Sequence, residues 1–98
     1  MQSPVYNIKM EDLFERYSIE YIQTLVSATQ RALDDNGEGA IALNRKTNTL
    51  YPMVITPGTV EPDDILLCVF NMYTSAESIT EDKIRRNIYL HNIYNQED

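Results

Sequence analysis

The spacing of apolar residues changes period after Gly39, and that switch limits the folds open to this chain more than any other feature. From Met10 to Leu33 the period is helical: Met10, Leu13, Phe14, Tyr17, Tyr21, Leu25, Ala28 and Ala32 share one face. Asp12, Arg16, Gln23, Ser27, Gln30 and Asp34 form the opposite, wet stripe. Beyond Ser18 the apolar arc widens, because Ile19, Ile22, Val26 and Leu33 add a flank that Glu11 and Glu15 occupy in the first turns. Ser18 is also suited to cap a second helix, with Glu20 in its first turn to complement the macrodipole. The segment is read as one long helix with a kink site at Ser18.

After Gly39 the period is two. Ile41 and Leu43 alternate with Ala40 and Ala42, and a second run, Leu50 to Thr56, follows the polar stretch "NRKTNT". That stretch is a hairpin turn by its chemistry: Asn44 can bond its own backbone, and Asn48 tolerates the left-handed conformation. Pro52 cannot donate to a ladder, which places its strand at an edge or a bulge. Pro57 and Gly58 suit the central positions of a type II turn.

Residues 61–73 carry two signals. Pro62 followed by Asp63 and Asp64 opens a helix well, but a helix from Ile65 to Tyr73 would be apolar on nearly every side. A short central strand covered on both faces needs less material to bury it, so strand is preferred. Two overlapping capping boxes, Thr74 with Glu77 and Ser78 with Glu81, then announce a helix from about Ile79. Its tail, with Asn87, Tyr89, His91, Asn92 and Tyr94, contains poor helix formers that also suit a strand.

These segments predict an α+β fold in the order α-β-β-β-α: an N-terminal helix, a three-stranded mainly antiparallel sheet and a C-terminal helix. The alternative, α-β-β-α-α, makes residues 61–73 helical. Ninety-eight residues fit a single small globular domain, 1–98, burying roughly 60–70% of the surface its unfolded chain exposes.

Charge narrows the partners. Fifteen Asp plus Glu against eight Lys plus Arg leave a net charge of −7, which disfavours nucleic acid and anionic membranes and favours another protein with a basic surface. The first residues lack a basic start and an apolar core of a signal, no stretch approaches the ~20 apolar residues of a membrane span, and one cysteine makes no internal disulfide. The expected compartment is the cytoplasm.

The stretch "DDNGEGAIALNR", residues 34–45, follows a calcium loop some way, with Asp34, Asn36, Glu38, Gly39 and Ile41 at loop positions one, three, five, six and eight. Position twelve is Arg45 where the ion needs a bidentate Glu, and a hairpin follows instead of a helix, so a helix end with Gly37 as left-handed cap is preferred. Cys68 sits in an apolar run with no cationic neighbour and reads as a small buried hydrophobe. With one histidine, His91, and no Cys-x-x-Cys, no metal or cofactor is expected. Lys83, Arg85 and Arg86 adjoin Glu81 and Asp82 and read as a solvated face with local ion pairs.

The most informative anomaly lies near the C-terminus. On a helix Ile84, Ile88 and His91 fall on one side, while Tyr89, Leu90, Ile93 and Tyr94 gather on another beside Arg86. One small core cannot easily cover both, and Tyr and Arg among aliphatics are typical of interface hot spots. The function expected is a non-enzymatic protein-binding module, an inhibitor, adaptor or accessory subunit, with Arg86, Tyr89, Leu90, Ile93 and Tyr94 as contact residues. Asp34, Asp35 and Glu38, and Glu61, Asp63 and Asp64, would steer it toward a basic partner. A homodimer through the same face and an acidic nucleic-acid mimic are the alternatives.

Overall fold

The computed structural model describes the backbone of residues 10–44, 46–58 and 64–95, and the side chains of 13–44, 46–58 and 64–90. In chain order it forms helices α1 (Met10–Arg16) and α2 (Ile19–Gln30), strands β1 (Glu38–Asn44), β2 (Thr49–Val54) and β3 (Asp64–Asn71), a 3₁₀ turn (Ala76–Ser78) and helix α3 (Glu81–Asn95). The fold is α+β, helices, then a sheet with both ladders antiparallel, then a C-terminal helix.

The N-terminal helical segment is two helices, not one. Ser18 is extended (φ −70°, ψ 157°), and its hydroxyl accepts the Tyr21 N–H at 3.1 Å, so it caps α2 and stops α1. The break changes which stripe faces inward. Ile22, Val26 and Thr29 are buried, while Tyr21 and Ala28, from the expected inner face, are exposed. Gln23 and Gln30, expected to be wet, reach instead to main-chain carbonyls: Gln23 Nε2 donates to Ile79 O at 2.8 Å, and Gln30 Nε2 to Asn71 O and Thr74 O at 2.9 and 2.6 Å. Together they fasten α2 to the connection between β3 and α3.

Residues 64–71 form a strand, but not the central one. The sheet order is β2-β1-β3, so β1 lies in the middle with residues 39–43 buried, and β3 is an edge. A bulge in β3 opposite Ile41 and Ala42 of β1 leaves Leu67 as the extra, unpaired residue, and Ile65, Leu67, Cys68 and Phe70 all belong to the core. Ile84 and Ile88 of α3 enter the same core, with Leu13, Ile22 and Val26 from the other helices. Gly39 sits in close contact with both β3 and α2: a Cβ there would stand 2.8 Å from Phe70 Cε2 and 3.2 Å from Thr29 Cγ2.

The turns follow their chemistry. Asn44 Oδ1 accepts the N–H groups of Lys46 and Thr47, Asn48 has φ 57°, and its N–H closes the turn on Asn44 O at 2.7 Å. Gly58 has φ 86°, as the third position of a type II turn requires. Gly37 does not adopt a positive φ and is no left-handed cap; it sits in a turn closed by its N–H on Asp34 O. The start of α3 also differs from expectation. Thr80 caps it, accepting the Lys83 N–H at 3.3 Å, because Ser78 is engaged with Ser75 O and Thr74 with the Asn71 turn. The tail is helical to Asn95 despite its composition.

Candidate docking surface

Three features decide where another molecule can meet this fold: the two sheet edges, the outer face of the sheet, and the exposed side of α3. The edges come first because an unpaired strand is the simplest docking site of all. On β2 the register turns the backbone of Leu50, Pro52 and Val54 away from β1. Pro52 has no N–H, and the Leu50 N–H donates to the Tyr17 hydroxyl at 3.4 Å. On β3, α3 lies along the edge and Asn87 Nδ2 donates to Leu67 O at 2.7 Å. These contacts blunt both edges and disfavour strand addition.

On the outer face, Ala40 and Ala42 leave the middle strand low, and the Tyr51 side chain reaches across it to β3, two strand spacings or about 10 Å away. Its hydroxyl donates to Asp64 Oδ2 at 2.5 Å, and Asn44 Nδ2 donates to Asp64 Oδ1 at 3.4 Å. Asp64 is 6% exposed. It therefore ties the hairpin to β3 and does not project into solvent, which corrects its expected part in steering. Beside it an open groove of about 540 Å³ runs between β3 and α3, lined by Asp64, Leu66, Val69, Asn87 and Leu90.

The C-terminal helix divides as its residue pattern requires. Ile84 and Ile88 are buried, while Tyr89 is 64% and Leu90 43% exposed, with Arg86 also exposed. Across the groove Val69 is 47% exposed, so sheet and helix both contribute apolar side chains to it, beside the polar Asp64 and Asn87. Sequence reasoning missed the sheet half of it, since Leu66 and Val69 looked like core. Ile93 and Tyr94 lie on the helix backbone, and their side chains fall outside the described residues. Asp34, Asp35 and Glu38 are exposed; Glu61 and Asp63 lie outside the described residues. Glu38 pairs with Asn71 and Asp64 with Asn44, so the first acidic group stands at the opposite end of β1 from Asp64, about 20 Å away at ~3.3 Å per residue.

Cys68 is in the core and away from the groove. Burial pushes its thiol up to about 11, against a smaller lowering effect from a hydrogen bond with the Ile41 backbone. Native protein at pH 8 is expected to react with a thiol reagent at least about 100-fold more slowly than urea-unfolded protein, as two pKa units of thiolate population require. Equal rates would place Cys68 at the surface. In the basic cluster, Arg85 lies 3.5 Å from Glu81 and 5.3 Å from the Phe14 ring centre, a local ion pair on an exposed face. Residues 38–44 of the calcium-like stretch are extended in β1, and the described residues hold no cluster of three or more metal-ligating side chains. No described helix is long and apolar enough to cross a membrane. Comparison with protein-family models, curated proteins and solved structures gives no match.

Proposed function

We propose that this chain is a small acidic, non-enzymatic protein-binding module of the cytoplasm, an inhibitor, adaptor or accessory subunit, that docks another protein on the α3–β3 face. The observation that carries the reading is the division of α3: one side supplies Ile84 and Ile88 to the core, and the other leaves Tyr89 and Leu90 in solvent, with Leu90 on the wall of the groove it shares with Val69. Blunted sheet edges support side-chain docking over strand addition. Asp34, Asp35 and Glu38 supply steering toward a basic partner, and the fifteen acids over eight bases of the whole chain act in the same direction. Mimicry of nucleic acid fits less well. It asks for a dense row of surface carboxylates, whereas Asp64 is buried and the Asp34–Glu38 group lies at the far end of the strand.

A second copy of the chain is the other occupant this face could take, and light scattering after size-exclusion chromatography separates the two. A folded native monomer is the expected result, leaving the face free for a different protein. A native dimer that becomes a folded monomer on Tyr89→Asp, Leu90→Asp substitution would make the face a self-contact instead.

A further inference from the structure

We infer that the end of the sheet remote from Asp64 holds a second contact site, in which Tyr73 anchors a basic, apolar segment of a partner protein against the carboxylates of Asp34, Asp35 and Glu38. The inference rests on the reading of the chain as a protein-binding module and assigns it a contact point separate from α3. Tyr73, at 75%, has the largest exposure of the described large apolar side chains, and its neighbour Met72 is exposed too. The turn that carries them is fixed. Asn71 Oδ1 accepts the Tyr73 N–H at 2.9 Å, Thr74 Oγ1 accepts the Asn71 N–H at 3.1 Å, and Gln30 Nε2 holds the carbonyls of Asn71 and Thr74. A ring presented from a tied-down turn loses little conformational freedom when a partner covers it, and Tyr combines a large apolar area with a polar tip.

The charge around it selects the partner. Gln30, which braces the turn, ends α2, and the chain leaving α2 passes through Asp34 and Asp35 to Glu38, which pairs with Asn71 in the sheet. Residues 30–38 and 70–78 contain four acids (Asp34, Asp35, Glu38, Glu77) and one base (Arg31), a net charge of −3 for these two segments. Lys46 stands in the hairpin turn at the other end. A ligand that inserts an apolar side chain beside Tyr73 and places Lys or Arg around it is complementary in both respects, whereas an acidic or nucleic-acid ligand is repelled.

The test is selection of a random 12-residue peptide display library on the native chain, with Tyr73→Ala and Leu90→Asp chains as parallel baits. The backbone bonds of the turn do not involve the Tyr73 side chain, and circular dichroism confirms that each bait is folded. The expected outcome is a family of peptides rich in Lys or Arg and in apolar residues. Their synthetic forms should lose about 30-fold or more in affinity for Tyr73→Ala and about 10-fold for Asp35→Asn, Glu38→Gln, yet bind Leu90→Asp as they bind the native chain. Peptides that bind Tyr73→Ala undiminished, peptides without basic residues, or no selected family at all would overturn the proposal. Peptides lost only on Leu90→Asp would overturn it while supporting the α3–β3 face, so the two readings fail separately.

Discussion

Replacing Phe70 with alanine is expected to remove about 3–5 kcal/mol of folding stability, the usual cost of emptying an aromatic site in a packed core. Phe70 is buried on β3, and its ring lies over Gly39 of β1 while Thr29 of α2 closes on the same glycine. A domain of this size is held by only about 5–15 kcal/mol, so the loss takes a large share of the total. The same contact predicts an effect in the opposite sense of volume. Gly39→Ala adds a methyl 2.8 Å from Phe70 Cε2 and 3.0 Å from Cζ, where a buried ring has no room to swing, and should cost about 1–3 kcal/mol. In a Phe70→Leu background the added methyl meets fewer atoms. Urea denaturation of the two single variants and the double variant should then show costs that do not add, with the pair less damaging than their sum. Additive costs would mean that the ring and the glycine do not share one space.

The second large effect concerns binding. Tyr89→Ala removes an exposed aromatic ring of α3 and is expected to weaken the partner complex by about 2 kcal/mol, roughly 30-fold, with the unfolding midpoint unchanged. Leu90→Asp should do more, because it sets an unpaired carboxylate on the wall of the groove that the partner would desolvate, a loss on the order of 100-fold or more. Salt distinguishes these contacts from steering. For a partner held by the α3–β3 face alone, added salt should slow association through its action on Asp34, Asp35 and Glu38 and leave dissociation nearly constant, because apolar contacts are not screened. A complex whose dissociation rises steeply with salt would point to the carboxylates as the main contacts.

The sequence was legible wherever a local rule had no competitor. Period gave the helical and extended segments, and Asn44, Asn48, Pro52 and Gly58 each occupy the position their chemistry suits. The burial of α2 was not legible, because helical spacing offered two overlapping stripes and the cap at Ser18 decided between them. The start of α3 was hidden for a related reason: Thr80 has Lys83 three residues on and lacks the acidic partner of a capping box, while two better-looking boxes lay just upstream. Strand order has no local signal at all. It made β1 central and left Leu66 and Val69 on the outer face, completing a surface of which only the α3 half could be read. Asp64 looked like a solvated helix start, and its partner Tyr51 is thirteen residues away in a pairing that exists only once the three strands align.

The most direct test of the docking face is quantitative affinity capture from an extract of the source cells, using the native chain and a folded Tyr89→Ala, Leu90→Asp chain as paired baits. The account predicts a protein with a basic surface that the native chain recovers and the double variant loses, and that rebinds as a purified protein with the same difference. Recovery of the same proteins in equal amounts by both baits would contradict it.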